Sequence, residues 1–156
     1  MQPGEVVADF ELPDETGAVR RLGELLEHGP VVLFFYPAAM TTGCTRESCH
    51  FRDLKAEFEA VGAQRVGISA DQVDKQRQFS DKHAFDFPLL SDPDRVVAAR
   101  FGVTRGLRFL PNKRSTFVID TDRRLLAVIS SELNMNTHAD RALEVLRARA
   151  GAGPAS

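Results

Sequence analysis

The stretch Val31-Val32-Leu33-Phe34-Phe35-Tyr36 is continuously apolar and stands between Pro30 and Pro37. No polar residue alternates within it, so neither side of a strand built from it can face water. Proline at both ends keeps it short and breaks any helix through it. A strand buried on both faces needs layers above and below, which points to an α/β architecture. The chain has 156 residues, enough to bury such a core in one domain. Hydrophobic residues make up 43% and charged ones 27%, a globular rather than a disordered balance.

Alternating elements surround this strand. Asp9–Leu12 and Val19–Leu22 flank Asp14-Glu15-Thr16-Gly17, which reads as an N-terminal β-hairpin. The pattern predicts a helix over 42–61, a buried strand over 65–69 and a helix over 71–84 capped by Asp71. Asp92-Pro93 reads as a cap and first-turn proline of a further helix, with Gly102 beyond its end. Residues 115–119 and 125–130 read as a second hairpin, and 137–149 as an amphipathic helix. A central mixed sheet with helices on both faces follows. That pattern is compatible with a thioredoxin-like fold, and a flavodoxin-like sheet fits it too. Residues 1–150 are expected to form the single domain and 151–156 a flexible tail.

Several functions find no support. The net charge is −2 with scattered basic residues, which argues against nucleic acid. No apolar run is long enough to span a membrane, and no signal peptide is evident, so the cytoplasm is the expected compartment. Neither a glycine-rich dinucleotide fingerprint nor a phosphate-binding loop occurs, and no cofactor is expected. The two cysteines, Cys44 and Cys49, have only His50 as an obvious third metal ligand, which makes a metal site improbable. His28, His83 and His138 stand alone and read as surface or structural residues.

In the helix over 42–61, Phe51, Leu54, Phe58 and Val61 mark the core face. Cys44 lies on nearly that face, close to the helix start, just past the carboxyl end of the apolar strand. Backbone N–H groups and the macrodipole favour an anion there, and the thiolate is the nucleophilic form of cysteine. Open α/β sheets place their sites at this end. Cys49 lies roughly 140° further around, on a more polar flank. Position alone leaves open a second reading, in which Cys44 is a small buried hydrophobe.

The segment YPAAMTTGCT resembles the active-site loop of the peroxiredoxins, with Pro37, Thr41 and Cys44 at the family's spacings. TRESCHFRD, with its second cysteine, resembles the Q-type subfamily, also called bacterioferritin comigratory proteins. KRSTFVID resembles the segment that supplies their arginine, here Arg114. The likeness runs from about Gly4 to Leu146 and implies a thioredoxin-like fold. It also implies a thiol-dependent peroxidase. Cys44 would attack the peroxide and become sulfenic acid. Thr41 would hydrogen-bond thiolate and peroxide, and Arg114 would stabilise charge on sulfur and leaving oxygen. Pro37 would shield the thiolate, and Glu47 would orient Arg114. Cys49 would resolve the sulfenic acid to an intramolecular disulfide, recycled by thioredoxin or a similar reductant. A redox sensor using the same pair is the alternative. The chain is expected to work as a monomer. One departure from the subfamily is Ala38-Ala39-Met40, where its members often carry charge.

Overall fold

The computed structural model describes residues 1–106 and 110–151. The elements run β1 (Glu11–Pro13), β2 (Val19–Arg21), α1 (Leu22–Leu25), β3 (Val31–Phe35), α2 (Thr42–Asp53), α3 (Lys55–Ala60) and β4 (Gln64–Ser69). They continue with α4 (Val73–His83), β5 (Leu89–Ser91), α5 (Val96–Arg100), β6 (Ser115–Ile119), β7 (Leu125–Ser130) and α6 (Thr137–Gly151). β1 and β2 form the expected hairpin, whose turn is closed by Asp14 accepting from the N–H groups of Thr16 and Ala18 at 2.8 and 3.2 Å.

Five strands make the main sheet in the order β5-β4-β3-β6-β7. β3 lies parallel to β4 and antiparallel to β6. An antiparallel neighbour beside the central strand is incompatible with an all-parallel flavodoxin-like sheet. All five residues of β3 are buried, and alternation divides them between two cores. Val31, Leu33 and Phe35 pack with Leu22 and Leu25 of α1, Val97 and Ala98 of α5, and Phe101. Val32, Phe34 and Tyr36 pack with Cys44 and Phe51 of α2, Phe58, Phe79, Ala142 and Leu143. Helices therefore cover both faces, and α2 lies on the second.

Five local expectations need correction. The helix over 42–61 is broken at Leu54, whose φ, ψ of −93°, 22° leave the helical region. Arg65 Nη1 donates to Phe51 O at 2.9 Å and Arg52 O at 3.5 Å, occupying carbonyls that Lys55 and Ala56 would use in an unbroken helix. Asp71 does not cap α4, which starts at Val73; its carboxylate accepts from Ser69 Oγ and Ala39 N instead. Asp92 does accept from Val97 N and Ala98 N, yet Pro93 precedes α5 rather than opening it. The short α1 and the three-residue β5 lie where no helix or strand was expected. Gly151, placed in the tail from sequence, ends α6, and 152–156 lie outside the described residues.

Candidate active site

The site grows from the junction of β3 and α2. Tyr36 N still bonds Ile68 O at 3.1 Å, so pairing with β4 runs one residue past the strand. Half-buried Pro37 then ends it. Ala39 N donates to Asp71 Oδ2 at 2.7 Å, and Ser69 Oγ holds the same oxygen at 2.7 Å. Buried Gln76 donates to Ser69 Oγ and Leu90 O and accepts from Tyr36 Oη. This network ties the loop to β4, β5 and α4. Met40 sits at φ 70°, a left-handed conformation that costs a residue with a Cβ about a kcal/mol or more.

Thr41 occupies the N-cap of α2 in extended conformation. Its hydroxyl donates back to Ala38 O at 2.8 Å, and no side chain caps the helix. The positive end of the α2 dipole is left available to Cys44, the helix's third residue, which is fully buried.

Arg114 reaches the same point from just before β6. Its Nη2 donates to Cys44 Sγ at 3.3 Å and its Nη1 to Glu47 Oε1 at 2.8 Å. Glu47, three residues past Cys44 on α2, is also fully buried. One planar guanidinium is thus shared between a thiol and a carboxyl. Arg114 is fixed further by its own N–H, which donates to Glu132 Oε1 at 3.1 Å. Burial pushes the Glu47 carboxyl up to about 8, against the opposing pull of Arg114. For Arg114 burial acts downward, but Glu47 and Cys44 outweigh it and hold the guanidinium above its usual range.

Gly43 makes the approach possible. A Cβ there would stand 3.2 Å from Arg114 Nη2 and 3.5 Å from Met135 Sδ. Cys49 lies on the other flank of α2, half-buried against the second core, and both cysteines are free. Burial pushes the Cys49 thiol up, with Arg52 opposing and Asp53 adding to the rise.

The structure therefore gathers Cys44, Glu47 and Arg114 into one contact set. Thr41 and Pro37 stand in the loop that leads into α2, and Cys49 lies five residues past Cys44 along the helix. Sequence reasoning missed Asp71, Glu132 and Met135. It read His138 as surface or structural, and the structure buries it with Nε2 3.5 Å from Glu47 Oε2. These residues act across sheet and loop connections, and no local spacing links them to Cys44.

Residues 3–128 match the AhpC/TSA family. The chain belongs to this family. A crystal structure of peroxidoxin BcpB from Mycobacterium tuberculosis superposes with a TM-score of 0.92 at 64% identity, covering 95% of this chain and 97% of that one. Peroxiredoxin Q of Sedum lineare chloroplasts is 34% identical over 92% of this chain and 77% of its own length. The bacterioferritin comigratory protein of Xanthomonas campestris, studied for alkyl peroxide reduction, is similar with a TM-score of 0.82 at 32% identity, covering 90% and 92%. The protein is thus a Q-type peroxiredoxin with a thioredoxin-like fold, an oxidoreductase of the thiol peroxidase class. No helix among the described residues is long and apolar enough to cross a membrane.

Proposed function

We propose that this peroxiredoxin reduces hydrogen peroxide and organic hydroperoxides through Cys44. The thiolate attacks one peroxide oxygen; the S–O bond forms as the O–O bond breaks. Sulfur loses two electrons, and the leaving oxygen takes a proton to depart as water or alcohol. Arg114 Nη2, 3.3 Å from Sγ, faces the charge that moves from sulfur to the leaving oxygen. Thr41 presents its hydroxyl to the peroxide once it releases Ala38 O, and Pro37 limits water at the sulfur. Glu47 fixes the guanidinium plane. The Cys49 thiolate then attacks the sulfenic sulfur, expelling hydroxide that leaves as water, and an intramolecular disulfide closes. A dithiol protein of the thioredoxin type reduces it by exchange. Both cysteines lie on α2, so one chain completes the cycle, as a monomer in the cytoplasm. Exposed Met40 beside Ala39 gives the mouth an apolar lip suited to alkyl groups.

The observation that carries this reading is the buried contact of Arg114 with Cys44. Peroxide consumption with thioredoxin, its reductase and NADPH tests it. Wild-type protein should turn over many times and Cys44→Ser not at all; sustained turnover by Cys44→Ser would refute the assignment.

A further inference from the structure

Glu47 Oε2 is a buried carboxyl oxygen with no hydrogen-bond partner, although Oε1 is held by Arg114. A buried polar atom left unpaired is costly, and a carboxylate more so. A ring nitrogen close to that oxygen belongs to His138 at the start of α6. Its ring is fully buried and held at both nitrogens: Nδ1 lies 2.8 Å from Thr116 Oγ1, and Nε2 lies 2.8 Å from Ser131 O. A carbonyl oxygen only accepts, so Nε2 carries the hydrogen and Thr116 donates to Nδ1. That hydrogen goes to Ser131 O, and the same Nε2 stands 3.5 Å from Glu47 Oε2. Burial and the nearby Arg114 hold His138 below its usual range, so it faces Glu47 as a neutral donor.

We propose that His138 is a positioning residue of the peroxidase site, its one Nε2–H shared between Ser131 O and Glu47 Oε2 so as to stabilise the carboxylate that aims Arg114 at Cys44. The inference rests on the peroxidase reading and adds a residue to it. Thr116 of β6 and Ser131 after β7 set the ring, and α6 carries it, so the sheet itself fixes the donor. The charged and titratable groups around the pair are Arg114 ahead of β6, Glu132 before α6, and Cys44 on α2. Glu132 opposes ionisation of Glu47, and Arg114 favours it. Burial raises the Glu47 carboxyl, and a donor to Oε2 favours its ionised form.

The test follows Cys44 across pH 6–9 in a Cys49→Ala background, by its oxidation with hydrogen peroxide and separately by its alkylation with iodoacetamide. His138→Leu should slow the peroxide step at pH 7 by about tenfold or more, as loss of a bond to a charged group does. It should also move the alkaline midpoint assigned to Glu47 upward by about one unit. His138→Gln, which keeps a donor at the Nε2 position, should restore most of both. Thr116→Val, which frees the ring while keeping its shape, should shift the midpoint the same way and serves if His138→Leu does not fold. Equal slowing at every pH, with an unmoved midpoint in both the oxidation and alkylation series, would show a merely structural histidine and overturn the proposal. Alkylation reads Cys44 without peroxide, so failure of the peroxidase reading would leave this outcome measurable.

Discussion

Glycine is a poor residue for a helix turn, where alanine would gain roughly 0.5–1 kcal/mol. At position 43 a methyl would stand 3.2 Å from Arg114 Nη2, close enough to press on it. Gly43→Ala should therefore raise helix stability yet slow peroxide reduction by about tenfold, by moving the guanidinium a few tenths of an ångström off Sγ. Stopped-flow oxidation of Cys44 checks this, and an unchanged rate would mean the contact is loose. Arg114→Met removes the donor altogether and should cost about a hundredfold or more in the same assay, the usual loss for a charge-stabilising group. An undiminished rate would leave the α2 dipole as the sole electrostatic support. Cys44 was legible from its place at a helix start just past the apolar strand, whereas roles for Pro37, Thr41 and Glu47 came only with the family resemblance. Arg114 needed the family resemblance: by pattern it is only a cation ahead of a strand. His138 had no signal, because its contact with Glu47 depends on how α6 packs over β6 and β7.

On the scale of the element, α2 must do two incompatible things. Intact, it presents Cys44 at its amino end and keeps Cys49 apart: positions five apart in a helix have Cα atoms about 8–9 Å distant. A disulfide needs them within about 7 Å, with converging Cβ vectors. The first turns of α2 therefore have to unwind before the bond closes. Nothing caps them, Thr42, Gly43 and Thr45 are weak helix formers, and Met40 just ahead is already in a left-handed conformation. The remainder of α2 is pinned: Phe51 stacks on Phe34 at 4.1 Å between centroids. Unwinding would also bring Cys49 into water, removing the burial that holds its thiol protonated. Hydrogen exchange on reduced and disulfide forms should show protection lost over residues 42–50 and kept over 51–60. Equal protection in both forms, with the disulfide confirmed by mass, would defeat the unwinding argument. Cys49→Ala should retain the first oxidation and lose thioredoxin-linked turnover; a normal coupled rate would remove Cys49 from the cycle. The helical period of 42–61 was legible, but its break at Leu54 was not, because Arg65, which takes the carbonyls there, comes from β4. The edge strand β5 escaped notice for a similar reason: three residues after a proline carry too little pattern, and pairing with β4 defines them.

For the whole molecule, a mixed sheet was legible in sequence because a strand–helix–strand unit and a hairpin are local patterns, but its strand order was not. The division of β3 between two cores also follows from alternation, but which helix covers which face does not. That packing seals Glu47 inside, and the cost is readable as pH-dependent stability. A carboxyl with its folded value raised from 4.5 to about 8 binds a proton in the native state that the unfolded chain has given up. Its contribution is complete below 4.5 and is lost as pH rises through 8. His138 works the other way: burial lowers it from 6.5, so the unfolded chain binds its proton first, and its contribution is lost as pH falls below 6.5. The lowered values of Asp14 and Asp120 matter only in acid, below about 4. Between pH 6.5 and 8 the Glu47 effect thus stands alone among these groups, with a limiting slope of about 1.4 kcal/mol per pH unit. The reduced protein, studied as Cys44→Ser to remove the sulfur's own charge, should lose a few degrees of Tm per pH unit across that window, at about 2–4 °C per kcal/mol. Glu47→Gln, which cannot ionise but can still accept from Arg114, should flatten the curve. Parallel melting curves for the two proteins would show that Glu47 does not titrate there. A sloping Cys44→Ser curve, flattened when Glu47→Gln is added, would instead show that the carboxylate aiming Arg114 at Cys44 is held against the preference of the fold, so activity and stability diverge as pH rises.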